Sequence, residues 1–311
     1  MRRYNDFVDT LLLCGGVVHC HGITGLHTLK TGKYQREGFC AGPYEDLYIY
    51  YLEGRVSDRD EQTLGNFFLG NWIEDNFSFL FFSAASKDIV TELLKMRPDL
   101  ELIDDYQFTY EQWQGGGLAS VKIENILIVP PWEEIEPDTG EIKIIMDPGV
   151  VFGTGLHPTT RDCLKAMISL KKQYPFEKVM DLGTGTGILA IAAASLGVKE
   201  VLAVDLNPLS VKTAKNNVSL NGFEKAISVV KGKAEDFVAE TADLIVANLH
   251  YDVIRGLLEE KGFLEKKYFI ISGLMRSQAG YIKDRMGKYN LILLNEWDHE
   301  MTWYTLLARR G

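Results

Sequence analysis

One stretch in the middle of the chain, residues 179–190, decides the fold. It reads Val-Met-Asp-Leu-Gly-Thr-Gly-Thr-Gly-Ile-Leu-Ala, so an apolar strand turns through Gly183, Gly185 and Gly187 into a helix rich in small residues. Such a turn brings backbone N–H groups close to a ligand. The glycines run G-x-G-x-G after Asp181, whereas a dinucleotide fingerprint reads G-x-G-x-x-G. The stretch therefore predicts a site for a nucleotide-like cofactor and not a pyrophosphate cradle.

Strands and helices alternate regularly around this stretch, from about residue 144 to the C-terminus. Strands are predicted over 179–182, 201–205, 227–231, 244–247, 268–272, 291–295 and 301–308, and helices near 159–172, 187–196, 208–220, 252–261 and 276–287. This alternation predicts an α/β fold, a Rossmann-like doubly wound sheet of seven strands, with ligands at the carboxyl ends of the strands.

The first half of the chain lacks this regular alternation of strands and helices, and its pattern predicts a smaller α+β domain. Strands are predicted over 47–52, 77–82, 100–103 and 123–129, with helices near 60–72 and 86–96. Residues 130–140 combine prolines, acids and a glycine, which is typical of an exposed connection. We therefore predict a substrate-recognition domain over 1–132, a linker over 133–143 and a cofactor-binding domain over 144–311.

A carboxylate ends the second strand of the predicted sheet. Asp205 follows Gly183 by 22 positions and precedes Leu206 and Asn207. A carboxylate there is placed to accept hydrogen bonds from ribose hydroxyls, and Asn207 resembles a helix N-cap. Taken alone, the glycine turn is compatible with a structural connection and Asp205 with a solvated strand end. Together they favour a nucleotide-type cofactor.

Composition excludes several classes of protein. The 311 residues carry 33 Lys plus Arg against 43 Asp plus Glu, so the formal net charge is −10. This argues against direct nucleic-acid binding as the main task and suits a basic partner. No window reaches the roughly 18 apolar residues of a membrane span, and the acidic residues Asp6 and Asp9 argue against an N-terminal signal. Cytoplasm is the predicted compartment, and the oligomeric state is left open.

Cysteines and histidines bunch near the start of the chain, at Cys14, His19, Cys20, His21, His27 and Cys40. They lack the Cys-x-x-Cys or His-x3-His spacing of a zinc site. We therefore predict no metal, and the four cysteines, with Cys163 the last, fit a reducing compartment.

A fourteen-residue segment upstream of the glycine turn narrows the family. Residues 147–160 read DPGVVFGTGLHPTT, which is very similar to the DPG-x-x-FGTG-x-HPTT segment of the ribosomal protein L-eleven methyltransferases, the PrmA family. The likeness continues through the helix after Gly187 and the strand end at Asn248, and more weakly through Trp113 and residues 126–132. It covers roughly residues 105–311. Taken without the family, His157–Thr160 would predict only a capped helix start.

The resemblance implies S-adenosyl-L-methionine as the cofactor and assigns its contacts. Thr160, Gly183, Asp205 and Asn248 match the family's cofactor residues, and a loop of Phe152, Gly153, Thr154 and Gly155 is expected over the methionine part. The predicted cofactor site is completed by Asp181, which would hold the cofactor's ammonium, and by Gly185, Gly187 and Leu206. Glu235 or Asp236 is placed to reach the adenine edge, or is a solvated loop acid.

The implied reaction is methyl transfer to lysine or α-amino groups of a ribosomal protein, with a basic large-subunit protein as the partner. Asn248 is the predicted catalytic residue. Family members commonly continue with an Ile-Leu-Ala type of segment, whereas this chain reads Asn248-Leu249-His250-Tyr251. We name Tyr251 as an acceptor-side aromatic and His250 as a proton-acceptor candidate; alternatively both merely pack or face solvent. Methylation of another protein, a nucleic acid or a small molecule, and cofactor binding without catalysis, stay open.

Overall fold

The computed structural model describes residues 44–114, 119–151 and 153–311. The chain divides into two compact units, the first ending at Ala119 and the second running from Ser120 to Gly311. The N-terminal cysteines and histidines, residues 14–40, and Phe152 lie outside the described residues.

The first unit contains a four-stranded antiparallel sheet with a helix packed on it. Its elements are β1 (Asp46–Glu53), α1 (Asp58–Glu61), β2 (Phe68–Glu74), β3 (Phe77–Phe82), α2 (Lys87–Met96), β4 (Glu101–Thr109) and α3 (Tyr110–Gln114). The sheet order is β2-β3-β1-β4. Leu52, Leu80 and Phe82 from the sheet pack against Val90 and Leu93 of α2, which forms the core of this unit.

The helix predicted near residues 60–72 is wrong. The helix α1 ends at Glu61, and β2 pairs with β3 as a hairpin in which Glu74 lies opposite Phe77. Asp75 adopts a positive φ of 50° in the connecting turn, which matches the twist of two antiparallel strands. Pairing with β3 therefore overrides the helical spacing of the apolar residues.

The second unit begins with a small three-stranded sheet that the sequence did not predict. It contains β5 (Val121–Ile123), β6 (Ile126–Val129) and β7 (Ile142–Ile145), in the order β5-β6-β7. The predicted single strand over 123–129 is split because the chain turns at Glu124, where φ is 54°.

This small sheet also changes where the chain divides. β7 pairs in parallel with β6, so the predicted linker over 133–143 runs mostly between two strands of one sheet. Ile126 and Ile144 are fully buried in the same core as Ile188. The division after Ala119 thus differs from the predicted boundary at 132 because residues 120–132 bury their apolar side chains in the second unit. A substrate-recognition role for the first unit stays a prediction.

The predicted sheet of seven strands is confirmed. The remaining elements are α4 (Pro158–Gln173), β8 (Lys178–Leu182), α5 (Ile188–Ser195), β9 (Glu200–Asp205), α6 (Pro208–Leu220), β10 (Ile227–Lys231), β11 (Leu244–Asn248), α7 (Tyr251–Leu257), α8 (Lys261–Leu264), β12 (Tyr268–Met275), α9 (Arg276–Arg285), β13 (Leu291–His299) and β14 (Trp303–Arg310). The strand order is β10-β9-β8-β11-β12-β14-β13, parallel except for β14, which runs antiparallel to both neighbours.

Two apolar layers cover this sheet. One contains residues of α4, α5 and α6, such as Met167, Ile191 and Val218. The other contains residues of α7 and α9, such as Ile254 and Ile282. From β8 the chain builds the sheet outward in one direction through β9 and β10 and then in the other direction through β11 and β12. Ligands of open α/β sheets bind in the crevice at such a reversal of strand order. None of the helices in the described ranges is long and apolar enough to cross a membrane.

Candidate functional site

The glycine turn follows β8 at this crevice. The amides of Gly183 and Thr184 both donate to the carbonyl of Val204, at 2.8 and 2.9 Å, so the turn is anchored to the neighbouring strand β9. Gly183, Gly185 and Gly187 have φ values of 73°, 56° and 86°. A Cβ on Gly183 would clash with the Leu249 side chain, whose Cγ would be 3.0 Å away. Glycine is therefore required at position 183 both by the backbone and by the space above it.

Asp205 lies at the end of β9 with its carboxylate turned toward the glycine turn. Oδ2 accepts from the Gly185 amide at 2.9 Å, and Oδ1 accepts from the Asn207 amide at 2.9 Å. Burial raises the pKa of Asp205, although the two amides oppose the shift. Leu206, the next residue, is 60% exposed. The predicted ribose carboxylate is thus held rigidly, with an exposed apolar side chain beside it.

Asp181 lies beneath the turn and is 1% exposed. Its Oδ2 accepts from the Thr184 hydroxyl at 2.6 Å, while Oδ1 has no hydrogen-bond partner among the described residues. Burial raises the pKa of Asp181 to about 7; hydrogen bonds from Thr184 and the Ala190 backbone oppose the shift, and Asp205 adds to it. A buried carboxylate oxygen without a partner is costly, which is typical of a group that receives a ligand.

The segment predicted to cover the cofactor lies against the glycine turn. The Thr186 hydroxyl donates to the Gly153 carbonyl at 2.7 Å, and the Gly155 carbonyl accepts from Arg161 Nε at 3.2 Å. The Thr154 hydroxyl accepts from the Leu156 amide at 3.2 Å. A Cβ on Gly153 would lie 2.7 Å from Thr186 Oγ1, so the segment approaches the turn too closely for a side chain there.

The start of α4 and the end of β11 meet at the same edge. The Asn248 amide Nδ2 lies 3.3 Å from Thr159 Oγ1, which in turn lies 2.7 Å from His157 Nδ1. His157 is the N-cap of α4 and Pro158 its first residue, so the predicted helix start is present as well. Burial lowers the pKa of His157 to about 4, and His299 contributes. The hydroxyl of Thr160 is buried without a partner among the described residues.

A second polar layer supports this edge. The Ser272 and Thr305 hydroxyls lie 2.6 Å apart and are fully buried, and Ser272 also lies 3.5 Å from the Thr159 carbonyl. Sequence reasoning missed both residues because their partners are distant in the chain.

The predicted acceptor-side residues lie just beyond Asn248. His250 is exposed and caps α7, with its Nδ1 accepting from the Asp252 amide at 3.4 Å. Tyr251 is half-buried and packs edge-on against Tyr281, with ring centroids 6.1 Å apart. The proton-acceptor role of His250 and the acceptor-side role of Tyr251 stay predictions. The structure gives His250 a helix-capping contact and Tyr251 a packing contact.

Glu235 and Asp236 lie in a short 3-10 turn after β10 and are exposed. Within the described part of the chain, no group of three His, Cys, Asp or Glu side chains converges as a metal site would require.

Two further residues were missed by sequence reasoning, Asn217 inside α6 and Asn221, which caps the C-terminus of α6. Their side chains bind the backbone of Asp147 and Ile145, respectively. Asparagine is a poor helix former, so Asn217 in the interior of a predicted helix is the signal that was available, whereas an asparagine at a helix end such as Asn221 is ordinary.

Comparison with known proteins gives a consistent result. The family model described as ribosomal protein L11 methyltransferase (PrmA) matches residues 82–311. The chain is 35% identical over 191 residues to a ribosomal protein L11 methyltransferase of Listeria monocytogenes, with 60% of each chain covered. It is 39% identical over 194 residues to that of Halalkalibacterium halodurans, with 61% of each covered. The chain thus spans about three-fifths of the length of the curated relatives that it matches.

A solved structure has the same fold. The ribosomal protein L11 methylase of Lactobacillus delbrueckii subsp. bulgaricus superposes with a TM-score of 0.54 at 30% identity, covering 62% of this chain and 99% of that chain. The predicted class I methyltransferase fold is confirmed by this likeness and by the family match. By its sequence over residues 82–311 and by its fold, the chain belongs to the ribosomal protein L11 methyltransferase (PrmA) family.

Proposed function

We propose that this chain is an S-adenosylmethionine-dependent N-methyltransferase acting on lysine or α-amino groups of ribosomal protein L11. The observation that carries the proposal is the meeting of three groups at one edge of the sheet. These are the positive-φ turn at Gly183, the fixed carboxylate of Asp205 and the amide of Asn248. Membership of the family, and relatives named for this activity, support the substrate.

The polar groups at this edge fit the proposed cofactor. Asp205 would accept hydrogen bonds from the ribose hydroxyls, and the exposed side chain of Leu206 would pack on the adenine. Glu235 or Asp236 is proposed for the adenine edge. The unpartnered oxygens of Asp181 and Thr160 fit the charged methionine end, because an ammonium donor would satisfy buried acceptors.

Phe152, Gly153, Thr154 and Gly155 are proposed to cover the methionine part, with Gly185 and Gly187 shaping the turn below it. When bound, S-adenosylmethionine supplies a methyl group that moves in line to the amine nitrogen while the C–S electron pair stays on sulfur.

The chain's own task is to bind and orient the amine. Thr159 Oγ1 receives the Asn248 Nδ2 hydrogen bond, which leaves Asn248 Oδ1 to accept from the incoming amine. A lysine with a pKa near 10.4 must first lose a proton, which costs about 4 to 5 kcal/mol at pH 7. Enclosure of the amine by apolar side chains such as Leu249 lowers that cost by disfavouring the cation. His250 is exposed at the α7 N-terminus and is proposed to accept the released proton, with Tyr251 flanking the acceptor.

The proposed partner is a basic protein, and the proposed compartment is the cytoplasm. A net charge of −10 favours association with a basic substrate and disfavours a nucleic-acid backbone.

The test is incubation of the full chain with methyl-labelled cofactor, recombinant ribosomal protein L11 and ribosomal RNA in separate reactions. We expect label in the protein with wild type, and at least about 100-fold less with Asn248→Ala. Label in RNA alone would overturn the proposal in favour of a nucleic-acid methyltransferase. Cofactor binding without labelling of any component of a total cell extract would favour a non-catalytic cofactor-binding protein.

A further inference from the structure

Asn217 has an unusual position for a helix residue. It lies inside α6 and is 0% exposed, yet its amide makes three hydrogen bonds to backbone outside the helix. Nδ2 donates to the carbonyls of Asp147 and Thr186 at 2.8 and 2.9 Å, and Oδ1 accepts from the Asp147 amide at 2.9 Å. Both Nδ2 hydrogens are therefore used, which fixes the orientation of the amide.

These bonds join two parts of the candidate site that are distant in sequence. Asp147 begins the family-like segment 147–160, which contains the residues proposed to cover the cofactor, and Thr186 belongs to the glycine turn. Thr186 makes a second connection, because its hydroxyl donates to the Gly153 carbonyl at 2.7 Å. The covering segment is thus tied to the glycine turn at both Asp147 and Gly153.

The helix that carries Asn217 also holds the other parts of the site. At its start, the Asn207 amide donates to Asp205 Oδ1 at 2.9 Å. In its middle, Ala214 packs against Gly187, where an added Cβ would lie 3.2 Å from the alanine Cβ. One rigid element therefore sets the positions of the carboxylate, the glycine turn and, through Asn217, the covering segment.

We infer that Asn217 is a positioning residue that holds the segment beginning at Asp147 against the glycine turn before the cofactor binds. The cofactor then meets a preformed surface and does not bear the cost of ordering that segment. The identity of the cofactor rests on the proposed function, whereas the fastening of the segment does not.

The chain offers two matched controls. Asn221 bonds to the amide and carbonyl of Ile145 at 2.9 and 2.7 Å, but its bonds do not reach the glycine turn. Asn216 lies on the exposed side of α6. Substituting Asn216 therefore reports effects on the helix alone. Substituting Asn221 reports the loss of a half-buried side-chain clamp on the backbone outside the site.

The first experiment is calorimetry with S-adenosylmethionine and with adenosine, which lacks the methionine part. Asn217→Asp keeps the side-chain shape but places an oxygen against the carbonyls of Asp147 and Thr186. We expect S-adenosylmethionine to bind about 10- to 100-fold more weakly, as for two lost hydrogen bonds, and adenosine affinity to change less than about threefold. Asn216→Asp should change neither affinity, and Asn221→Ala should weaken both ligands equally or not at all.

Equal affinity of wild type and Asn217→Asp for S-adenosylmethionine, or equal weakening of both ligands, would overturn the inference. A second measurement uses the wild-type chain and so does not depend on a variant that folds. Hydrogen exchange without cofactor should show the Asp147 amide protected as strongly as the Ile145 amide. Exchange of the Asp147 amide at the rate of an unfolded peptide would also overturn it.

The same measurements separate the inference from the proposed function. A wild-type chain that binds neither ligand would refute the proposed function, and the exchange rate at Asp147 would still decide whether the segment is fastened.

Discussion

Replacing Asp181 by asparagine should make the chain more stable and should do so in a pH-dependent way. Asp181 is buried, and burial raises its pKa from 3.8 to about 7 against the opposing hydrogen bonds from the Thr184 hydroxyl and the Ala190 backbone. In the unfolded chain the carboxyl ionises near its ordinary value. The folded state therefore binds the proton more tightly than the unfolded state, and stability falls as pH rises from about 4 to about 7.

The magnitude follows from the two pKa values. The difference between about 7 and 3.8 corresponds to about 4 kcal/mol of lost stability once the carboxyl is ionised. The substituted amide would not be charged at any pH, and its oxygen would still accept from Thr184. We expect Asp181→Asn to match wild type below pH 4 and to exceed it by up to about 4 kcal/mol above pH 7. Between pH 5 and pH 8 the gap should widen by about 3 kcal/mol.

The assay is urea unfolding of the cofactor-free chain at several pH values from 5 to 8. The change in the free energy of unfolding with pH is then compared between variants. Asp243→Asn is the control of opposite sign. Burial opposes the shift there, but hydrogen bonds from Lys267 and from the Glu177 and Lys178 amides lower the pKa of Asp243. Its stabilisation is present above the ordinary pKa and is lost only as pH falls, so that variant should be less stable by a nearly constant amount from pH 5 to 8. A constant gap between Asp181→Asn and wild type would refute the reasoning.

Three further outcomes are expected. Gly183→Ala should lower the free energy of unfolding by about 1 to 3 kcal/mol, because the added Cβ meets Leu249 at a φ of 73°. Gly197→Ala should cost less, because Gly197 has a φ of 83° but open space around it. Equal losses for the two variants in urea unfolding would contradict the clash. Cys163 is 0% exposed and burial raises its pKa to about 12, so iodoacetamide at pH 8 should label it, by peptide mapping, only after unfolding. Burial lowers the pKa of His157 to about 4, so its imidazole should stay neutral from pH 5.5 to 8 in a nuclear magnetic resonance titration. A titration midpoint near 6.5 would be inconsistent with a buried imidazole.

The sequence predicts the parts of the fold that depend on local patterns. The seven-stranded sheet follows from regular alternation, and its strands and helices lie close to the predicted positions. The strands β2 and β7 were not predicted, and residues 123–129 were predicted as one strand and not as part of a three-stranded sheet, because each depends on pairing with another segment. Ile126 and Ile142 pair across 16 residues of chain, and a proline-rich stretch between them imitates a linker.

The candidate site divides in the same way. Gly183 and Asp205 are recognisable because a glycine turn and a strand-end carboxylate are local signals, and Asn248 follows from the family resemblance. Asn217 and Ser272 are not recognisable, because their partners Asp147 and Thr159 are 70 and 113 residues away. Polar residues that act through such distant contacts become visible only when the strands and helices are assembled.

The most direct test of the proposed activity is mass spectrometry of recombinant ribosomal protein L11 after incubation with the full chain and S-adenosylmethionine. The account predicts a mass increase of one or more methyl groups that maps to lysine or the α-amine, depends on the cofactor and is absent with Asn248→Ala. Unmodified L11 under conditions where calorimetry shows the cofactor bound to the wild-type chain would contradict it.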